Sequence, residues 1–232
     1  MSESTQNRKD QNQKFLERAT RACLELIELS LYLYLYYRGI YEEDFFRSVR
    51  RFSVIIKECV SEDIISYVNQ ALKSAEELMR TGQLKGIHCV ISHSDGQEIE
   101  RLCFEMKSPI DLEDKTADFF RQVRPHEMEK YYQIFLNKVQ GEDDAKNVYA
   151  ESSYHFTRTL MTFALLNDLP EQNSWHLEYK VTGNNFLKIS ETNGKSLVPA
   201  EPSNSDAAAM KPISSSCYSF INMDAFMRLS KL

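Results

Sequence analysis

His88-Cys89-x-x-x-His93 is the one stretch of this chain where residues suited to metal chemistry fall close together. A metal site needs three or four such side chains converging on one point. The flanking run Leu84–Ile91 reads as a strand, and neighbours on a strand point to opposite faces. His88 and Cys89 cannot therefore both reach one ion without distortion, and neither a metal nor a cofactor is expected. His126, His155 and His176 stand apart from one another and read as structural. Glu42-Glu43 and Asp143-Asp144 read as solvated acidic loops, and Trp175, the single tryptophan, reads first as core packing. The sequence has no Cys-x-x-Cys, no phosphate-binding Gly loop and no Ser nucleophile elbow. Cys23, Cys59, Cys89, Cys103 and Cys217 lie in apolar runs, as buried thiols of a reducing compartment do. Nothing here argues for catalysis. The alternative from another class is a small-molecule enzyme with its site between the 84–106 region and the segment 108–150.

The elements that would position these residues are organised around Lys14–Phe46. Phe15, Leu16, Ala19, Ala22, Cys23, Leu26, Ile27, Leu29 and Leu31 recur at helical steps. Leu31–Tyr36 alternates Leu and Tyr like a strand, but no Gly or Pro separates it from the helical pattern, so one helix over 14–37 is expected. Being apolar almost all round, it should be covered by a sheet on one side and by further structure on the other. Arg38-Gly39 ends it, the Arg beside the negative end of the helix dipole. Tyr41, Phe45 and Phe46 anchor a charged connection, and Phe52–Lys57 reads as a short strand. Ser61 caps a helix over 62–80 that Thr81-Gly82 stops. Leu84–Ile91 and Ile99–Met106, joined through Asp95-Gly96, read as an antiparallel hairpin. Its Ile87, Cys89, Ile91, Leu102, Phe104 and Met106 form one apolar face.

Asp118–Gln140 has a broken helical pattern, Gly141–Asp144 reads as a loop, and a third helix is expected over 151–167. Trp175–Val181 alternates as a strand. Thr182–Pro212, rich in Asn, Ser, Gly and Pro, reads as linker, and Ser214–Leu229 as a strand that must find a distant sheet. Together they suggest a mobile arm with a docking end. The net charge of −6 argues against direct nucleic-acid binding. No uncharged run approaches the ~20 residues of a membrane span, so an intracellular, soluble protein is expected.

The order of these elements resembles the HORMA-domain family. Leu35-Tyr-Tyr-Arg-Gly-Ile-Tyr41 with Phe46, Val49 and Phe52, and then Ile64-Ile-Ser-Tyr-Val-Asn69, are similar to its first two helices in the spindle-checkpoint branch. Val90-Ile-Ser-His93, Glu98-Ile-Glu-Arg101 and Phe104-Glu105 resemble its hairpin, and Ser214-Ser-Ser216 its C-terminal segment. Phe104–Pro109 also resembles the translesion-polymerase branch, and meiotic chromosome-axis members stand beside both. The resemblance implies an α+β fold, a central antiparallel sheet packed on three main helices. Residues 1–13 offer nothing to bury and are expected as a disordered tail, and the resemblance makes 14–232 one domain, with a core at 14–181 and a C-terminal safety belt at 182–232.

It further implies a non-enzymatic adaptor. A short closure-motif peptide of a partner protein would be captured under the arm, by Phe163, Trp175, Leu177, Tyr179, Tyr218 and Phe220. Deleting 205–232 should then abolish binding and leave a soluble core. An AAA+ ATPase with its adaptor would reopen the closed form, and the setting would be nucleus and chromosomes, or cytoplasm. Leu160-Met161 stand where the checkpoint branch carries a polar self-association pair, which leaves Met161 as the self-association candidate and a monomer as the expectation.

Overall fold

The computed structural model describes residues 20–21, 23–107, 142–170, 173–183, 185–189, 197–200, 207–218 and 221–230. The expected tail, the start of the first helix, the pattern in Asp118–Gln140 and most of the segment 108–150 lie outside these residues.

Helix α1, residues 23–37, is continuous through the Leu/Tyr alternation. Its Cys23, Leu26, Ile27, Leu31, Leu33, Tyr34 and Leu35 are almost wholly buried. Tertiary cover from several directions decides here over the strand-like alternation, because a helix apolar all round is stable only when enclosed. Gly39, at φ 62°, ends it in the left-handed conformation that costs Gly least. Arg38 does not stay at the helix end as a dipole partner. It turns inward, and its guanidinium donates to Glu100 Oε1 and Oε2 at 2.6 and 3.0 Å and to the Asn167 carbonyl at 2.8 Å.

The connection after α1 is more ordered than its charge suggests. A 3-10 turn, Glu43–Phe45, leads into β1, Phe46–Arg51, which pairs antiparallel with β2, Val54–Cys59. Phe52 and Ser53 are the hairpin turn, at φ 48° and 59°, and not the start of a strand. The Phe52 ring stacks on Phe156, 5.5 Å away, a contact that holds the turn in place. Phe46 is buried as expected, whereas Phe45 is exposed.

Helix α2, Glu62–Arg80, buries Ile64, Val68, Ala71, Leu72, Ala75 and Leu78 along one face. Ser61 stands at its N-cap with extended backbone, but its side chain makes no cap hydrogen bond. Strands β3, Leu84–His93, and β4, Glu98–Lys107, form the expected hairpin about Gly96 (φ 87°). The Asp95 carboxylate accepts from the Gln97 N–H at 2.9 Å and fixes the turn. Helix α3, Glu142–Phe163, begins nine residues before the expected 151, takes in Glu142–Asp144 of what reads as the acidic loop, and ends before Ala164.

Seven strands make one antiparallel sheet in the order β7-β6-β5-β3-β4-β9-β8. Strand β5 is Asn173–Val181. Thr182–Pro212 is not all linker: β6, Asn185–Ile189, β7, Leu197–Pro199, and the first half of β8, Ala207–Tyr218, fall within it. The expected strand 214–229 is a hairpin of β8 with β9, Ile221–Ser230. Strand β9 lies on β4 from Glu100↔Leu229 to Lys107↔Asn222, so the hairpin 84–106 and the C-terminal arm share one sheet. Met223, Ala225 and Met227 of β9 enter the core beside Leu102, Phe104 and Met106. The arm is therefore part of the domain, and cutting at 205 would strip the core. No helix among the described residues is long and apolar enough to cross a membrane.

Candidate functional site

Strand β5 is paired with β3 from Asn173↔His93 to Val181↔Leu84. On its other side β6 covers only Glu178–Val181. Among the described residues, no strand pairs with Asn173–Leu177 on that side. The Leu177 N–H points out of the sheet and donates to Tyr67 Oη at 3.2 Å. By the alternation of an antiparallel edge, the N–H and C=O of Trp175 point the same way. Asn173, at the start of this edge, donates its amide to the Pro170 carbonyl, and its buried Oδ1 finds no hydrogen-bond partner among the described residues. A buried acceptor left open is costly, and a donor from outside would relieve it.

Four aromatic rings from three parts of the chain gather at this edge. Trp175 meets Tyr67 of α2 edge-on at 5.2 Å and Tyr41 at 6.4 Å. Tyr41 in turn meets Phe45 at 5.7 Å. The Trp175 Nε1–H donates to Tyr41 Oη at 2.8 Å, which fixes both rings. Trp175, Tyr41 and Tyr67 are half-buried. Such a cluster presents flat apolar faces beside unpaired backbone, the combination that receives an added strand and its side chains.

The opposite face of the sheet carries charge. Arg101, buried, donates to both Glu98 oxygens at 3.1 and 2.7 Å and to Glu178 Oε2 at 2.6 Å. Its Nη1 also lies 3.1 Å from His88 Nδ1, and His88 Nε2 is 3.2 Å from Glu105. His88 therefore donates from Nε2 and accepts at Nδ1. Burial lowers its pKa, which keeps the ring neutral. Burial would raise the Glu105 carboxyl, but hydrogen bonds from His88 and Lys180 outweigh it and hold it at about 2. Phe186 of β6 lies 5.4 Å from the His88 ring and 5.6 Å from the Arg101 guanidinium carbon. His88 and Cys89 do face opposite sides of β3, and among the described residues no three His, Cys, Asp or Glu side chains converge on a metal position.

Of the residues expected to bind a peptide, Trp175 stands at the open edge. Leu177 and Tyr179 share its face but lie under α2, wholly buried, with Tyr179 Oη donating to the Ala71 carbonyl at 3.0 Å. Phe163 is also core, its ring 5.3 Å from Tyr34. These three offer no surface to a partner in this conformation, because the period-2 alternation of β5 and the inward stripe of α3 turn them toward the helices. The Tyr218 backbone closes β8 opposite Ile221, and Phe220 lies outside the described residues. Met161 is 58% exposed, while Leu160 packs against the core. Tyr41 and Tyr67 are absent from the expected set. Tyr67 is the Tyr of the Ile64–Asn69 motif and was in view there, but only the fold brings it to Trp175.

No family profile matches the chain. DNA polymerase zeta subunit 2 of Drosophila melanogaster is 25% identical over 104 residues, which are 44% of this chain and 52% of that protein. The chain thus matches about half the length of that relative. A chain of the mitotic checkpoint complex superposes with a TM-score of 0.68 at 17% identity, covering 91% of this chain and 98% of that one. C. elegans HTP-2 bound to the HIM-3 closure motif superposes with a TM-score of 0.65 at 12% identity, covering 94% and 92%. The chain has the HORMA fold: α+β, an antiparallel sheet on three described helices with its C-terminal strand β9 paired to β4.

Proposed function

We propose that this protein is a non-enzymatic adaptor that takes up a short, extended peptide of a partner protein as a strand along Asn173–Leu177. The observation that carries this reading is the half-covered edge of β5, where backbone that no described strand pairs, an unsatisfied Asn173 oxygen and the Tyr41–Phe45–Tyr67–Trp175 cluster coincide. Backbone pairing supplies affinity and the aromatic faces select side chains. The likeness to a HORMA protein solved with a closure motif supports the same mode. Spindle-checkpoint or chromosome-surveillance work, in nucleus, chromosomes or cytoplasm, is the setting that the fold suggests. The sequence likeness to a DNA polymerase zeta subunit favours DNA repair or translesion synthesis as the second reading. A remodelling AAA+ ATPase with its adaptor is the further partner that belongs with an arm able to open.

Peptide display against the full chain, followed by affinity measurement on the selected peptides, tests the proposal. Trp175→Ala and Tyr67→Ala, which each remove an aromatic face from the edge, are expected to weaken binding at least tenfold while both variants remain folded by circular dichroism. Peptides that bind both variants as tightly as the parent would place the interface elsewhere.

A further inference from the structure

Helix α3 turns an unusually polar stripe inward. Ser152, His155 and Thr159 are 3%, 0% and 0% exposed, interleaved with Phe156 and Phe163. His155 lies where α1, α3 and the arm meet, and both its nitrogens are engaged. Nε2 is 2.8 Å from Ser30 Oγ and Nδ1 is 2.6 Å from Ser214 Oγ of β8. The protons can be assigned from the partners. Ser30 spends its own hydrogen on the Leu26 carbonyl, at 2.7 Å, so it accepts from the Nε2–H of His155. Nδ1 is then the acceptor, and the Ser214 hydroxyl donates to it. Thr159 directs its hydrogen to the His155 carbonyl at 2.9 Å and does not compete. With Ser214 in place the ring is neutral, satisfied at both nitrogens and closed off from water.

We propose that His155 is a proton-gated latch for the C-terminal arm, seating β8 on α3 while its ring is neutral and releasing β8 when the ring takes a proton. A proton at Nδ1 would point at a hydroxyl whose own hydrogen then lacks a partner, and would put a charge in a closed site. No carboxylate among the described residues stands ready to balance it. Helix α1 presents Ser30, and β8 presents Ser214. From the β1–β2 hairpin, Phe52 covers Phe156. The charged groups on the same seam are Arg158, whose Nε lies 3.4 Å from the Ile213 carbonyl, and Lys211, whose Nζ lies 3.5 Å from the Leu165 carbonyl. Both are cations, so neither could balance a charged imidazole. Asp224 of β9 is engaged by the Ser215 hydroxyl at 2.7 Å.

The direction of the pH effect follows. Burial lowers the seated ring's pKa to about 3, whereas a ring opened to water by departure of β8 titrates near ~6.5. The proton therefore binds the open state preferentially. Above pH ~6.5 the latch is fully effective. Below it, the open-to-seated ratio rises by up to about tenfold per pH unit, until the seated ring itself takes the proton. The latch requires only that β8 can leave α3, whether or not the arm encloses a peptide.

Hydrogen exchange of the β8 amides in the full chain reads rare openings directly. Protection, corrected at each pH for the intrinsic exchange rate, should be level from pH 8 to 7 and fall about thirtyfold by pH 5. Amides of α2 serve as the internal standard and should keep their protection. His155→Gln keeps a donor and an acceptor but binds no proton, and its β8 protection should be level across the range. Ser214→Ala should lower β8 protection already at pH 8. Protection of β8 that is level with pH in the parent, or that falls equally in His155→Gln, overturns the proposal. Should His155→Gln fail to fold, NMR of the parent's His155 ring decides: a ring that titrates near pH 6.5 while β8 stays protected overturns it, and one that stays neutral to pH 5 supports it.

Discussion

Arg38 closes α1 from inside the protein, against Glu100. A cation after a helix suits the dipole, worth about 0.3–1 kcal/mol at the surface. Here the guanidinium is buried instead, and a bidentate bond to Glu100 plus one to Asn167 ties the end of α1 to β4 and to the loop after α3. Tyr34 Oη donates to the same carboxylate at 2.8 Å, so Glu100 is satisfied on both oxygens. Removing one partner of such a pair leaves an uncompensated buried charge. Arg38→Met is expected to cost about 3–5 kcal/mol, measured by urea unfolding. The double variant Arg38→Met/Glu100→Gln should recover a large share of that loss, which separates stranded charge from lost packing.

At the scale of elements, β3 is the strand through which the rest of the sheet is placed, because β4 and β5 both pair along it. Its register is set near its start, where pairing with β5 shifts between Leu84 and Gly86. A Cβ at Gly86 would sit 2.8 Å from the Phe104 carbonyl oxygen and 3.2 Å from the His88 ring. The first neighbour is backbone and cannot turn aside. Gly86→Ala is therefore expected to destabilise by about 1–3 kcal/mol through forced strand displacement. Loss of amide protection concentrated at β3, β4 and β5 would confirm the cause, and an unchanged thermal midpoint would refute it.

For the whole molecule, the exposed side of α3 decides whether copies associate. The expectation of a monomer treats Met161 as a lone exposed side chain. The structure instead aligns it with Tyr154, 59% exposed, at helical spacing on one face, and sets Leu165, 74% exposed, in the turn just past the end of α3. Three side chains at about 1.5–3 kcal/mol each come within range of the ~4–15 kcal/mol that association costs. A weak association at tens of micromolar is the expected outcome in sedimentation, with Met161→Glu returning the protein to monomer. Identical profiles for parent and variant would show that this face is idle.

The local structure was legible where one short-range pattern dominates. Helices α1 and α2, the β3–β4 turn at Asp95-Gly96 and strand β5 all follow from periodicity and turn chemistry carried within a few residues. Thr182–Pro212 was not legible, because a strand as short as Asn185–Ile189, set among turn-forming residues, is too brief to carry a pattern and is held by its neighbour in the sheet. The same holds for the side of the sheet that the arm occupies. Both outer strands of the β5-β3-β4 group offer unpaired backbone, and β9 lies on β4 because Met223, Ala225 and Met227 find the core there. The sequence read Trp175 first as core packing, named it for peptide binding only through the family resemblance, and set His155 aside as structural. Only the tertiary structure joined Trp175 to Tyr41 and Tyr67, and His155 to Ser30 and Ser214, since these partners stand far apart along the chain and meet through packing that no local pattern encodes.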